Sequence, residues 1–252
     1  MGEIKSIPFE NESEEIKDRV KAYWAKRSDA FIALKTTELA SNKYERWERE
    51  ISAHLPCHKP LKILDVGCGS GFFEVMLARM GHYVTGIDMT PEMISSAKAL
   101  IKQENLSAEV FVMDAENPDF ADDTFDVVIS RNLTWTLPHP LEAYFQWKRV
   151  LKPGGIILNF DAEYAKWHHD KKLPEHHAHA GIPAELNEEC HRIYHMLSIS
   201  ALSRPEWDKK VLSELGMCDI QAFENVNSRI YIEKDEFYIA DSMFCIYAKK
   251  PE

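Results

Sequence analysis

The 252-residue sequence is short of positive charge: 30 lysines and arginines stand against 41 acids, a formal net charge of −11. A protein that grips a nucleic-acid backbone needs the opposite surplus, so nucleic acid is disfavoured as a partner. No apolar run approaches the ~18 residues that cross a bilayer, and the start, Met1-Gly2-Glu3-Ile4-Lys5, lacks the apolar stretch of a secretory signal. The expectation is a cytoplasmic protein without membrane contact. Cysteine is sparse as well. Cys57, Cys68, Cys190, Cys218 and Cys245 are odd in number, scattered and free of any Cys-x-x-Cys pair, which points to reduced thiols rather than a disulfide framework. Repeats, low-complexity tracts and linker-like stretches are also missing. The chain reads as one large domain, or a domain with an insert, long enough to bury a core. Its oligomeric state is not legible.

What the sequence does have is a dense stretch from Ile63 to Gly71. Ile63, Leu64, Asp65 and Val66 read as a buried strand, and Gly67, Gly69 and Gly71 as a turn that opens a helix near Phe72. Glycines there let a ligand lie against the main chain. A dinucleotide turn wants Gly-x-Gly-x-x-Gly with a pyrophosphate on the helix N-terminus. Here position 72 is Phe, and Asp65 puts at the strand end a carboxylate that repels a pyrophosphate and attracts a cation. A second strand, Tyr83 to Asp88, ends in an acid about 20 residues beyond the turn, which suits a pair of ribose hydroxyls. That acid alone does not separate the cofactors that contain ribose.

Further pieces follow in order: Val112-Met113-Asp114-Ala115-Glu116, Phe125 to Ser130, and Arg149-Val150-Leu151-Lys152-Pro153-Gly154-Gly155. With the glycine turn and Gly86-Ile87-Asp88, this series resembles the class I S-adenosylmethionine-dependent methyltransferase family over residues 61 to 160. The resemblance implies an α/β fold: a Rossmann-like, seven-stranded, mostly parallel sheet with helices on both faces and an antiparallel final strand. It also implies S-adenosylmethionine as cofactor, held along Asp65, Gly67, Cys68, Gly69 and Gly71. Asp88 would take the ribose, with Met89 packing under adenine or in the core. Asp114, beside Ala115, would accept from the adenine amine or be a plain turn aspartate. Asn132, just past the fourth strand, would contact the methionine portion.

Outside that core, residues 11 to 27 read as an amphipathic helix carrying Ile16, Val20, Tyr23 and Trp24, and 37 to 54 as a second. Tyr23 and Trp24 either cover the cofactor cleft or pack on the sheet edge; Arg27 either meets the cofactor carboxylate or is solvated. Thr90 is the expected cap of the helix that begins at Pro91. The last strands are expected at about 217 to 225 and 238 to 249, joined as a hairpin. The expected organisation is a helical cover over 1–56, a cofactor-binding core over 57–160, a helical cap insert after strand five over 161–203, and a closing part of the core over 204–252.

Methyl transfer from a sulfonium needs position, a dry pocket and, for some acceptors, a base. The insert holds His168, His169, His176, His177, His179, His191 and His195, and the candidates for that base are His168, His169 and His176. His191 and His195 have the i,i+4 spacing of metal ligands, but the helical wheel puts both on the polar face, so no metal is expected. Trp135, Tyr164 and Trp167 are candidate walls of an acceptor pocket. The acidic charge and the insert favour methylation of O, N or S on a small molecule. A C-methyltransferase of quinone-type biosynthesis stays open, as does a protein or RNA substrate, although Arg131-Asn132-Leu133-Thr134 is no Asn-Pro-Pro-Tyr. A non-catalytic cofactor-binding module is the remaining alternative.

Overall fold

A computed structural model describes residues 10–57, 60–164 and 175–252, with the side chains of residues 10–12 left aside. Helices α1 (Glu10–Leu39) and α2 (Asn42–Ser52) come first. Strands and helices then alternate: β1 (Lys62–Val66), α3 (Phe72–Arg79), β2 (Tyr83–Asp88), α4 (Pro91–Gln103), β3 (Ala108–Val112), β4 (Phe125–Arg131), α5 (Pro140–Val150) and β5 (Leu151–Ala162). The chain ends with α6 (Ala184–Met196), α7 (Glu206–Glu214), β6 (Cys218–Phe223), α8 (Val226–Ile230) and β7 (Met243–Lys249).

The seven strands lie in the order β3-β2-β1-β4-β5-β7-β6. The first five pair in parallel, and β7 runs antiparallel between β5 and β6. Because side chains alternate across a strand, β1 sends Ile63 into one apolar layer and Leu64 and Val66 into the other. Both faces are therefore dry, as the unbroken apolar run requires. The chain reverses direction across the sheet between β1 and β4, and a crevice at their carboxyl ends is where ligands collect in such sheets.

Three local expectations need correction. The first helix does not stop near residue 27. Phe31, Leu34, Lys35 and Glu38 prolong its inward face at three- and four-residue spacing, so it runs to Leu39. The break falls at Ser41, whose side chain accepts from Lys43 N–H at 3.1 Å and caps α2. The final strands do pair antiparallel, but their connection is longer than expected: α8 lies within it, and β7 starts at Met243 rather than near 238. Thr90 holds the capping position of α4, but its hydroxyl turns to Asp88 instead of making a cap bond.

Long-range polar contacts fasten the segments that follow β4 and β5. Arg204 is buried and donates to Asp161 at 2.8 Å, to Asp208 at 2.7 and 2.9 Å, and to the Thr134 hydroxyl at 2.7 Å. Tyr144 donates to Asp208 at 2.7 Å, and Asn159 donates to both Tyr144 and Thr134. Asp161 also accepts the N–H of Trp135 at 3.0 Å, so this network sets where that indole stands.

Candidate functional site

A cavity of about 180 Å³ lies over the β1–β4 crevice, against about 10 Å³ for the next pocket. Its floor is the glycine turn. Gly67, at φ +73°, has the Leu133 side chain 2.8 Å from where a Cβ would stand, so this position admits only glycine without repacking. Gly71 is set apart from the cavity: it is the N-cap of α3, and a Cβ there would meet Ala97 of α4 at 3.1 Å. Its place is a helix–helix contact.

Asp65, Gly67, Cys68, Gly69, Asp88, Met89, Asp114, Ala115, Asn132, Tyr23 and Arg27 all line this cavity. Asp88 accepts the N–H of Gly69 at 3.0 Å and of Thr90 at 2.8 Å, one on each oxygen. Both oxygens are thereby aimed, and each keeps lone pairs for further donors. Asp114 is fixed in the same way, accepting from Glu116 N–H at 2.8 Å and from Lys17 Nζ at 2.6 Å. Lys17 also pairs with Glu116 at 2.8 Å, and Glu116 meets the His139 ring at 3.0 Å. A single lysine thus ties the first turns of α1 to the end of β3.

At the centre Asp65 is buried beside Glu74 of α3. Among the described residues, Asp65 Oδ1 and both Glu74 oxygens have no donor, and two carboxyls bond each other only when one carries a proton. Burial first, with the charge of Asp88 assisting, holds Asp65 up to about 7. Glu74 stands well above the usual carboxylate range through burial and then the Asp65 charge. An orphaned, buried acceptor facing the cavity is suited to a cationic group.

Asn132 has a left-handed backbone, φ +57°, and its Oδ1 accepts the Tyr164 hydroxyl at 2.7 Å. Oriented in this way, its amide N–H groups are left over as donors. The upper wall is aromatic. Trp135 packs on Tyr164 at 5.5 Å and on Tyr194 of α6 at 4.9 Å between ring centres. Burial raises Tyr23, Tyr164, Tyr194 and the Cys190 thiol above their ordinary values, so they stay protonated near neutrality.

The histidine expectations fare differently. His168, His169 and Trp167 lie outside the described residues. His176 is exposed and is not among the residues that line the cavity; among the described insert histidines, His179 lines its wall. His195 is exposed and His191 half-buried, as the helical wheel requires. Residue-level reading missed Lys17, Phe31, Lys35 and Arg131, all of which line the cavity. Following the α1 stripe beyond residue 27 at helical spacing would have found Phe31 and Lys35.

Comparison with known proteins bears on the same region. Residues 64–159 match the family model described as a methyltransferase domain. A ubiquinone biosynthesis O-methyltransferase of Cereibacter sphaeroides (strain ATCC 17029) is 34% identical over 112 residues, covering 44% of this chain and 45% of that protein. A malonyl-[acyl-carrier protein] O-methyltransferase of Paenibacillus sp. (strain JDR-2) is 29% identical over 184 residues, covering 70% and 62%. The chain thus spans about half the length of the ubiquinone-pathway relative it matches. Among solved structures, a methyltransferase from Aquifex aeolicus that depends on S-adenosylmethionine superposes with a TM-score of 0.55 at 20% identity, covering 84% of this chain and 95% of that one, a likeness of fold.

Proposed function

We propose that the chain is a class I S-adenosylmethionine-dependent methyltransferase, a reading supported by the methyltransferase-domain match and the methyltransferase relatives, and that it moves a methyl group from S-adenosylmethionine to O, N or S of a small molecule. One observation carries this reading. Residues from four strand ends, Asp65, Asp88, Asp114 and Asn132, converge with the glycine turn on one cavity roofed by α1.

The cavity fits the cofactor by its donor set. Asp65, buried and without a donor on Oδ1, takes the ammonium of the methionine arm and ionises as it does so. Asp88, held from below by two backbone N–H groups, accepts from the ribose hydroxyls, and Asp114 accepts from the adenine amine. The cofactor supplies an electrophilic methyl on a sulfonium whose positive charge is lost in transfer. What this chain contributes is mainly position and exclusion of water. α1 closes over the site through Lys17, while Trp135, Tyr164 and Tyr194 form a dry wall on the acceptor side. The protonated phenols there hold an acceptor by hydrogen bonds rather than take its proton. The segments before the sheet and after β5 serve as cover and cap on this reading, and a cavity of about 180 Å³ favours a small acceptor over a polymer. No helix among the described residues is long and apolar enough to cross a membrane, which suits a cytoplasmic place of work.

The test is to incubate the protein with methyl-labelled cofactor and a cell extract divided into metabolite, protein and RNA fractions. Label in a low-mass product is expected. Label in protein or RNA alone would replace the small-molecule reading.

A further inference from the structure

Where α1 leaves the cavity it meets the end of β4 in a cluster that the transfer chemistry does not use. Glu38 is fully buried. It accepts from Lys35 Nζ, from Arg131 Nη2 at 2.9 and 3.1 Å, from the Tyr231 hydroxyl at 2.8 Å and from Trp47 Nε1 at 3.2 Å. That carboxylate is saturated, whereas the cations are not. Arg131 Nε is buried and has no partner among the described residues, and Lys35, with three N–H donors, has one carboxylate.

Two cations therefore share one anion in a box of rings. The Arg131 guanidinium lies 4.4 Å from the Trp47 ring centre and 4.9 Å from Phe72, and Lys35 lies 5.4 Å from Phe31. One positive charge is left over where water is scarce, an unfavourable state unless an anion meets it. The surplus is visible in the neighbours. Burial first, then the Arg131 charge, lowers the Lys35 ammonium to about 8. Glu38 falls to about 2, because Arg131 and Lys35 outweigh the burial that raises it. Burial, with the Asp88 charge, holds Asp65 up to about 7, so near neutrality it supplies only part of the missing charge. Arg27, stacked 5.5 Å from the Trp24 ring, adds to the excess rather than relieving it. Both Lys35 and Arg131 are among the residues that line the cavity, so the unmatched charge stands at its wall.

We propose that Lys35 and Arg131 form a seat for a carboxylate at this end of the cavity, filled by the carboxylate of the methyl donor or by that of an acceptor. A single negative charge balances the cluster; a phosphate dianion would overshoot it. The seat rests on the methyltransferase reading, because that reading makes the cavity a ligand site.

The full-length wild type and Lys35→Met are titrated calorimetrically with S-adenosylhomocysteine and with its decarboxylated analogue. The S-adenosylhomocysteine-loaded proteins are then titrated with phenylacetate and with neutral phenylacetamide, whose ring suits the aromatic walls. If the donor fills the seat, wild type prefers S-adenosylhomocysteine over the analogue by about 10- to 100-fold, the worth of a charge-assisted bond. Lys35→Met then brings that ratio near one, and Lys35→Arg restores most of it. If an acceptor fills it, the ratio survives in Lys35→Met, while phenylacetate binding, weak or absent for the amide, is lost. A wild type that discriminates neither pair overturns the seat without reference to any variant. So does a Lys35→Met protein that matches wild type on all four ligands. A wild type that binds S-adenosylhomocysteine in neither form overturns the methyltransferase reading and the seat with it.

Discussion

The cluster around Arg204 and the cluster around Glu38 are both dry, and both tie a segment outside the sheet to the end of a strand, but only the first is closed in the sense that every guanidinium nitrogen has a partner. In it one guanidinium is shared by Asp161, Asp208 and Thr134, all on its own donors, and the carboxylates take further bonds from Tyr144 and from the N–H of Trp135. Around Glu38 the carboxylate is the saturated member, and the cations keep donors to spare beside the cavity. A closed cluster holds the fold whether or not a ligand is present. An open one remains incomplete until something of opposite charge arrives.

That contrast can be broken most visibly at Arg204. Arg204→Met strands two buried carboxylates, and removing one partner of such a pair costs about 3–5 kcal/mol. Thermal or urea denaturation should show a loss of that size, and a loss under ~1 kcal/mol would mean that the cluster is no more than a surface pair. Lys35→Met should behave in the opposite way. Replacing a surplus buried charge by an apolar chain of similar length is often neutral or stabilising, so the melting temperature is expected to hold or rise while ligand binding changes. A large drop in melting temperature would make Lys35 a second Arg204.

The next effect is one of pH. The cofactor ammonium favours ionised Asp65, so binding must release a proton below about 7, where burial has Asp65 protonated. Affinity for S-adenosylhomocysteine should fall by up to about tenfold per pH unit below that point. A profile flat from pH 7 to 5.5 would show that Asp65 is not the group that meets the ammonium. If the donor carboxylate sits on Lys35, affinity should also decline above about 8, where that lysine loses its charge. A smaller effect is expected at Lys17→Met, because Asp114 keeps 35% of its side-chain surface in water and screening weakens such pairs. About 0.5–1 kcal/mol of stability and a modest rise in the cofactor's dissociation constant are expected. His176→Ala should change neither turnover nor stability, as an exposed residue outside the cavity; a sharp loss of rate would return it to the acceptor site.

Much of the cavity floor was legible in the sequence because it is local. Asp65, Gly67 and Gly69 share one turn, and Asp88 and Asp114 each close a strand whose length is set by a short apolar run. The turn glycines needed qualification, since Gly71 packs on α4 instead of facing the cavity. The two buried clusters were not legible. Arg204 meets Thr134 from 70 positions away and Glu38 meets Arg131 from 93, and nothing in the pattern around any of them announces a partner. An arginine that ends a strand reads as solvated until its neighbours are known. The length of α1 was misjudged for a related reason. Beyond residue 27 its inward face mixes Lys35 and Glu38 with Phe31 and Leu34, so the helical spacing continues while its apolar character weakens. The histidines of the insert cannot be sorted by residue type alone: His179 lines the cavity and His176 does not, whereas Trp135 and Tyr164, two of the expected wall residues, do line it, together with Tyr194.

The account stands on the crevice between β1 and β4 being the seat of S-adenosylmethionine, with Asp88 as the ribose-binding acid. Its most direct test is calorimetric titration of S-adenosylhomocysteine into wild type and Asp88→Asn. A single site in the wild type, weakened at least tenfold by the substitution, is the predicted result. No binding to wild type, or equal affinity in the two proteins, would contradict it.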